Sequence, residues 1–232
     1  MLIPITREKF EQLIPLIATG PQYTYFWGNF QDFLKRLLVS VVAVVVILVL
    51  GLFLGEGFNA LRLLFSIIAG LYWFWGPIYW ASRRNIEMRR YQYSGFWRGR
   101  VLDVFVTEEL IGTEETVNNR GELVIVENRE RRLNLEVGDE TGFSTLLQAP
   151  LRRTHKGIAP GQTAEMLVMS NQPDLSRIAK TSEIYIPRFD VWVSDYPYLQ
   201  RNVFTQVSSQ LSQAEEDDYP AKRVVRTKRR RR

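Results

Sequence analysis

The sequence predicts a membrane α-hairpin of two transmembrane helices, then a cytosolic, mainly-β domain folded as a small barrel or sandwich, and a disordered C-terminal tail. Three observations lead to this prediction. Residues 37–54 and 63–81 contain no charged side chain. Short segments rich in β-branched residues recur between residues 100 and 200, which is typical of strands in a β domain. The final residues are mostly arginine and lysine.

The N-terminal segment, residues 1–33, precedes both apolar runs. Thr6 suits the N-cap of a short helix over residues 6–18, whose apolar side chains share one face. The aromatic residues from Tyr23 to Trp27 favour the headgroup layer of a bilayer, so the N-terminal segment is expected to lie on the membrane surface. The same apolar helix face also suits packing onto the β domain, and the sequence leaves both placements open.

The predicted hairpin occupies residues 34–82. Each apolar run comes close to the roughly 20 residues that a helix needs to cross a hydrocarbon core of about 30 Å. Neither run has the polar face expected of a helix in a soluble core. The connecting residues 55–62 carry one acidic and one basic group, whereas Lys35, Arg36 and the arginines after the second run flank the other ends. This positive-inside bias places both termini in the cytosol.

A basic collar, residues 83–99, follows the second run. Arginines beside a membrane attract anionic lipids, and aromatic rings gather at the membrane interface. The basic end of the chain is expected to act in the same way, as an electrostatic tether. The predicted lipid contacts are Trp73, Trp75, Tyr79, Trp80, Arg83, Arg84, Arg89, Arg90, Lys222, Arg223, Arg229, Arg230, Arg231 and Arg232.

Two features inside the apolar runs admit two interpretations each. Gly51 and Gly55 have the small-residue spacing of closely packed helices, but they lie where glycine also terminates a helix. Trp73 and Trp75 either pack against the first helix and lipid or form a face for a partner helix, a pigment or a quinone. No ionisable residue lies in either run, which argues against an ion path through this chain.

The β domain is assigned to residues 100–211. Residues 132–137 alternate between apolar and polar side chains, the pattern of a half-buried strand. Together with residues 122–127 they are predicted to form one antiparallel hairpin. Residues 101–213 have a net charge of −5. The tail, residues 212–232, has an acidic block and a basic block with too little apolar area to fold alone.

Composition excludes several kinds of site. The chain has no cysteine, which removes disulfides, thiolate catalysis and cysteine-bound metals. The single histidine, His155, lies among basic residues and is expected to be a solvated loop residue. Glu108 and Glu109, with Glu114 and Glu115, form acidic pairs that lack the spacing of a calcium-binding loop. We therefore expect a non-enzymatic protein with no catalytic, cofactor-binding or metal site.

The segment RRYQYSGFWRGRVLDVFVT within residues 89–143, paired with LRRTHKGIAPGQTAEMLVMSN at residues 151–171, resembles a conserved family of cyanobacterial membrane proteins. The likeness covers most of residues 1–205, including ATGPQYTYFWGNF, and contains no catalytic motif. Members of that family are often labelled phosphate ABC-transporter permeases, whereas this sequence has two expected spans and no Glu-Ala-Ala loop. The resemblance implies a photosynthetic bacterium and residence in the plasma or thylakoid membrane.

A minimal anchor joined to a folded cytosolic domain favours a membrane-anchored adaptor or assembly factor. Its expected partners are anionic membrane lipids and a membrane-protein complex. An accessory subunit of a transport system is the first alternative. A membrane-tethered binder of nucleic acid or ribosomes is the second, and the acidic charge of the β domain argues against it. The sequence does not set the oligomeric state.

Overall fold

The computed structural model describes residues 1–54, 57, 59–117, 121 and 123–218. Helices dominate the N-terminal part, and strands dominate the part that follows. The helices are α1 (Arg7–Leu13), α2 (Gly20–Trp27), α3 (Phe30–Leu54), α4 (Asn59–Gly70), α5 (Tyr72–Arg89) and α6 (Arg201–Asp218). The strands are β1 (Leu2–Ile5), β2 (Tyr93–Val117), β3 (Leu123–Gly138), β4 (Ser144–Pro150), β5 (Thr163–Ser170), β6 (Ile178–Ile186) and β7 (Val191–Val193).

Helix α3 is the one helix among the described residues that is long and apolar enough by itself to cross a membrane, over Phe30–Phe53. Its valine-rich sequence favours strands in water. Inside a bilayer every backbone polar group must be satisfied within the segment, and a helix does this without a partner. The valine side chains of α3, such as Val41 and Val45, are about half exposed in the isolated chain, as expected of groups that face lipid.

The second apolar run is not one straight helix. Helices α4 and α5 reach spanning length only as a pair, and they are bent by 71° at the break between them. The break falls at Leu71, directly after Gly70, and glycine is a poor helix former. Pro77 lies inside α5 and is buried. The expectation of a single continuous span over residues 63–81 is therefore corrected to two helices in a bent pair.

The strands form a seven-stranded antiparallel sheet in the order β4-β3-β2-β5-β6-β7, with β1 also pairing with β2. The prediction of a mainly-β domain is confirmed at this level. In the part of the chain that the structure describes, no pairing joins β4 to β7, so the strands form one open sheet where a small barrel or sandwich was expected.

Strand β3 replaces the hairpin predicted over residues 122–137. It runs without interruption for 16 residues and pairs with the 25-residue strand β2 from Gly138 to Leu123. The pairing of Val117 with Leu123 puts the chain reversal between these two residues. Residues 128–131 lack glycine and proline, the strongest turn formers, so nothing there interrupts the strand.

The sheet has apolar side chains buried on both faces. Met166 of β5 packs with Leu135 on one face, where the main strand core lies. Its neighbour Leu167 points to the opposite face and packs with Phe10 of α1 and Phe204 of α6. Because successive strand residues alternate in direction, β5 is buried along both sides. Helix α1 thus packs onto the β domain, the second of the two placements that the sequence left open.

The β domain extends beyond the segment assigned from the sequence at both ends. At the start, β1 pairs with β2 through residues 2–5 and 94–97. At the end, α6 continues to Asp218, past residue 212 where order was expected to stop. The basic tail residues Lys222, Arg223, Arg229, Arg230, Arg231 and Arg232 lie outside the described residues.

Part of the sheet projects as a two-stranded ribbon. Strand β5 pairs with β2 only as far as Arg100, and β4 pairs with β3 only from Arg132 onward. Beyond these points, among the strands that the structure describes, β2 and β3 pair only with each other. We call this ribbon the arm; it comprises residues 108–117 and 123–131.

Candidate functional site

The N-terminal helices meet the β domain at a junction built around a buried amide pair. Gln22 of α2 and Asn85 of α5 are both fully buried. They exchange hydrogen bonds of 3.0 and 2.8 Å, and Gln22 Nε2 also donates to the Tyr198 carbonyl at 3.2 Å. The sequence carried one signal of this role, because Asn85 shares a helix face with the buried residues Ala81 and Met88.

Arg84, predicted as a lipid contact, lies within this junction among aromatic rings. Its guanidinium carbon is 4.6 Å from the centroid of the Tyr196 ring and 5.7 Å from those of Tyr25 and Phe26. Such contacts stabilise a cation near an aromatic face. Burial raises the pKa of the Tyr196 phenol well above its usual value, although the charge of Arg84 acts in the opposite direction.

Arg36, which directly precedes the first apolar run, caps a neighbouring helix. Its two terminal nitrogens donate to the carbonyls of Phe26 and Trp27, each at 2.5 Å, and these carbonyls end helix α2. A cation at a helix C-terminus also interacts favourably with the helix dipole. The Arg36 guanidinium lies 5.4 Å from the Trp27 ring centroid. Arg36 therefore joins α3 to α2 just where the apolar run begins.

Two adjoining depressions, of about 450 and 310 Å³, open beside these residues. They share the rings of Tyr25, Phe26 and Trp80. We call the pair the basic crevice, because cations line it from both sides. Acidic groups are present as well, and Lys35 lies 3.9 Å from the Asp32 carboxylate. The charged lining residues are Asp32, Lys35, Arg36, Arg83, Arg84 and Glu87.

A larger apolar cavity of about 680 Å³ lies between α3, α4 and α5. Its α3 wall runs from Val39 to Gly51, and Phe65 and Ile68 belong to its α4 wall. The bend at Leu71 turns α4 away from the direction of α5 and leaves this space against α3. Tyr72 lines both the apolar cavity and the basic crevice, so the two spaces adjoin.

The remaining aromatic residues predicted as lipid contacts divide between packing and exposure. The Trp73 ring lies 5.8 Å from that of Phe33 in α3, which matches the interpretation of packing against the first helix. Trp75 donates through its indole nitrogen to the Ile68 carbonyl at 2.8 Å and so bridges the bend. Tyr79 and Trp80 remain about half exposed on α5.

The other predicted residues serve different contacts. Arg83 is exposed and lies over the Trp80 ring at 5.9 Å, and Arg90 is also exposed. Arg89 pairs with Glu11 of α1 at 2.6 Å, so it ties α5 to the β domain. A side chain at Gly51 would overlap that of Arg62, so this glycine permits the close approach of α4. Gly55 lies outside the described residues.

Buried charges elsewhere are paired within the β domain. The Glu165 carboxylate accepts a hydrogen bond from Arg98 Nε at 2.8 Å. The Glu183 carboxylate lies 3.2 Å from the Arg201 guanidinium. Burial raises the pKa of Glu183 despite the Arg201 charge. Across the described segments, no three of the histidine, aspartate and glutamate side chains lie close enough together to hold a metal ion.

His155 corrects one sequence prediction. It is only 3% exposed and sits in a short 3-10 helix over Arg153–Gly157, where it was expected to be solvated. Its Nδ1 accepts a hydrogen bond from the Arg152 backbone. Burial lowers the pKa of the imidazole, so the histidine packs as a neutral group. The basic neighbours of His155 in the sequence indicated a solvated loop. Its burial was not predicted, because it depends on strands that are distant in sequence.

The arm is the second feature that sequence reasoning did not find. Its tip exposes apolar side chains on both faces of the ribbon. Leu123 is 77% exposed and Ile125 is 66% exposed. Val117 pairs directly with Leu123, and alternate residues of a strand face the same side, so these three side chains lie on one face. Val124 and Val126 point to the other face and are also exposed. The sequence carried one signal of this exposed surface, namely the run of four consecutive apolar residues at positions 123–126 within a predicted strand.

The fold defines a class of protein with an N-terminal helix able to span a membrane and a mainly antiparallel β-sheet domain. Residues 3–217 match the family described as "Family of unknown function (DUF8619)", and the chain belongs to that family. No curated protein and no solved structure matches the chain.

Proposed function

We propose that the protein is a non-enzymatic, membrane-anchored adaptor that holds a protein partner through its arm. The exposed apolar tip of the arm carries this proposal. A two-stranded ribbon is marginally stable in water, and an apolar surface on it is a hazard unless something covers it. No other strand among the described residues pairs with its outer backbone edges, which makes them a template for a further strand. A protein that presents an extended, apolar segment satisfies both needs.

The sheet that carries the arm supports the same proposal, because it is tied to the N-terminal helices. Arg98 of β2 pairs with Glu165 of β5 and donates to Ser212 of α6 at 2.7 Å. Helix α1 packs on this sheet and is joined to α5 by the Glu11–Arg89 ion pair. A partner bound at the tip would therefore be held at a set position relative to the membrane.

The membrane arrangement belongs to the proposal. We place α3 as one crossing and the bent α4–α5 pair as the second, in the plasma or thylakoid membrane. Both termini then face the cytosol, because Lys35, Arg36, Arg83 and Arg84 gather at one end of the helices. The arm and the whole β domain would act on that side, next to a membrane-protein complex.

Site-specific photocrosslinking in cells tests the adaptor function. A photoreactive amino acid at Ile125 should give one discrete crosslinked protein, identified by mass spectrometry of the full chain purified in mild detergent. The same probe at Phe189, which is exposed but distant from the arm in the sheet order, is the control. Crosslinks to lipid alone, or the same products from both positions, would remove the adaptor proposal.

Substitution of residues at the tip of the arm is the second part of this experiment. The triple variant L123T/I125T/V126T keeps β-forming residues but removes the apolar surface, and it should abolish the crosslink made from a probe at Val117. The variant L102T/L146T changes exposed residues outside the arm and should leave the crosslink intact. Capture of an ATPase or a permease would favour the transport alternative, and capture of ribosomal components the nucleic-acid alternative.

A further inference from the structure

We infer that the basic crevice and the apolar cavity together bind one anionic phospholipid, its phosphate headgroup in the crevice and an acyl chain in the cavity. This goes beyond the adaptor function, which does not depend on it. The sequence predicted diffuse lipid contact by a basic collar. The structure instead brings cations from two helices to one concave place.

The charges of the crevice suit a phosphate group. Lys35 and Arg36 of α3 lie across the shared aromatic rings from Arg83 and Arg84 of α5. The lining contains these four cations and two acidic residues. Arginine binds phosphate through several N–H groups at once. The crevice thus keeps an excess of positive charge after its acidic groups are counted.

Unsatisfied donors at the same place support an anionic ligand. Arg36 Nε and Arg84 Nη1 are buried and have no hydrogen-bond partner among the residues that the structure describes. A buried N–H without an acceptor is costly, and the cost is larger for a charged group. A phosphate oxygen bound between these side chains supplies an acceptor to Arg36 Nε and Arg84 Nη1, while the terminal nitrogens of Arg36 keep their hydrogen bonds to the carbonyls at the end of α2.

The depth of the crevice matches a headgroup. Arg36 directly precedes the first apolar run, and Arg83 follows the second run by one residue, so the cations lie where both helices leave the hydrocarbon region. Trp80 is about half exposed at this level, as expected of an interfacial aromatic residue. A phosphate bound here is at the position that the bilayer itself gives to lipid phosphates.

The adjoining cavity accounts for the rest of the molecule. Its α3 wall, from Val39 to Gly51, extends about 18 Å along the helix axis. Its volume of about 680 Å³ lies within the range of small-molecule sites. Its charged lining residue, Arg62, and the polar Asn59 belong to the start of α4, at the end remote from the crevice. A long apolar chain suits this lining, whereas a quinone or pigment needs polar contacts within it.

Native mass spectrometry of the delipidated full chain tests this inference. The protein is titrated with phosphatidylglycerol and with phosphatidylcholine of the same acyl chains. We expect a single saturable phosphatidylglycerol adduct, bound at least about tenfold more tightly than phosphatidylcholine. Equal binding of the two lipids would overturn the headgroup assignment. Inorganic phosphate is the competitor, and full displacement of the lipid by it would show that the cavity does not hold a chain.

Variants separate the two halves of the site. Lys35→Gln and Arg83→Gln remove exposed cations from the crevice, and each should weaken phosphatidylglycerol binding about fivefold, which corresponds to about 1 kcal/mol per basic group. Arg90→Gln removes an exposed arginine outside the crevice lining and should have no effect. Ala43→Phe fills the cavity and should abolish binding of both lipids. Undiminished binding by Ala43→Phe, with an unchanged thermal unfolding profile, would overturn the cavity assignment.

Discussion

Gln22 of α2 and Asn85 of α5 exchange two side-chain hydrogen bonds across 63 residues of the chain, and no water reaches either side chain. This amide pair fastens the N-terminal segment, residues 1–33, to α5, the helix that precedes the β domain. The pair is polar and fully buried, and Asn85 makes two side-chain hydrogen bonds to Gln22, which is also bonded to the Tyr198 carbonyl and the Thr19 backbone. Together with the Arg89–Glu11 ion pair, it attaches α2 and α5 to the β domain.

The amide pair leads to the first prediction. Asn85→Leu leaves Gln22 buried without its partner and should lower the unfolding free energy by about 1–3 kcal/mol. The measurement is urea unfolding of the full chain in detergent, followed by tryptophan fluorescence. Asn202→Leu, at an exposed site in α6, is the matched control and should stay within about 0.5 kcal/mol of the wild type. A double variant with Gln22→Leu that loses the sum of two single losses would contradict the pairing.

A second prediction concerns pH and Asp139. Its carboxylate accepts hydrogen bonds from Trp97 Nε1 at 2.7 Å and from the Thr141 backbone at 2.9 Å. Burial opposes the charge, but hydrogen bonds from the Thr141 hydroxyl, Trp97 and the Thr141 backbone, together with the nearby charge of the Met1 amino group, outweigh it and lower the pKa of the carboxyl. A lowered folded-state pKa stabilises the protein above the unfolded pKa of about 3.9, and this contribution is lost as the pH falls through the folded pKa.

Asp139→Asn should therefore cost about 1–3 kcal/mol of unfolding free energy at pH 7. The difference from the wild type should shrink steadily once the pH falls below about 4. Unfolding curves at a series of pH values measure it. Asp195→Asn, at an exposed position, serves as the control at pH 7. A cost that stays constant down to low pH would show that the charge of Asp139 is not what stabilises the fold.

The third prediction uses two leucines on the same face of β3. Leu135 is fully buried, whereas Leu123, toward the tip of the arm, is 77% exposed. Leu135→Ala should cost about 2–5 kcal/mol, because it leaves a cavity in the strand core. Leu123→Ala should change the unfolding free energy by no more than about 0.5 kcal/mol. Similar losses from both substitutions would mean that the tip is covered within the isolated chain.

Removal of the arm gives a fourth prediction. Replacing residues 111–128 by Asn-Gly joins the paired residues Leu110 and Arg129 through a two-residue turn. Every side chain described between these residues is exposed, so the domain should lose less than about 1 kcal/mol of unfolding free energy. Circular dichroism and urea unfolding measure the outcome. A domain that fails to fold would show that the arm belongs to the core, and retained partner crosslinking from a probe at Leu110 would contradict the adaptor proposal.

The membrane topology gives the fifth prediction, for which a chain without cysteine is well suited. Ala60→Cys at the start of α4 should react with a membrane-impermeant maleimide added to intact cells or spheroplasts. Glu140→Cys, in the exposed turn after β3, should react only after permeabilisation. Labelling at Glu140→Cys in intact cells would contradict the second crossing by the bent pair. Protection at both positions in intact cells, together with reaction of both on the same side of isolated sealed thylakoids, would contradict the first crossing by α3.

Local patterns in the sequence predicted the elements whose environment is uniform along their length. The run from residue 37 is apolar on all sides, so it predicted most of α3 correctly. The alternation at residues 132–137 identified the buried end of β3 because that end has one face in the core. The opposite end of the same strand is exposed on both faces, so no alternation marked it and a hairpin was predicted instead.

What the sequence by itself determined was composition along the chain: a spanning-length apolar helix, a β domain, and the absence of cysteine chemistry. Only the tertiary structure decided that Asn85 meets Gln22, that Arg84 lies among aromatic rings, and that His155 is buried. These contacts join residues far apart in the chain, and burial of a polar side chain depends on the partner it finds there. The bend at Leu71 was likewise visible only in the structure, because hydropathy records how apolar a segment is and not the direction in which it runs.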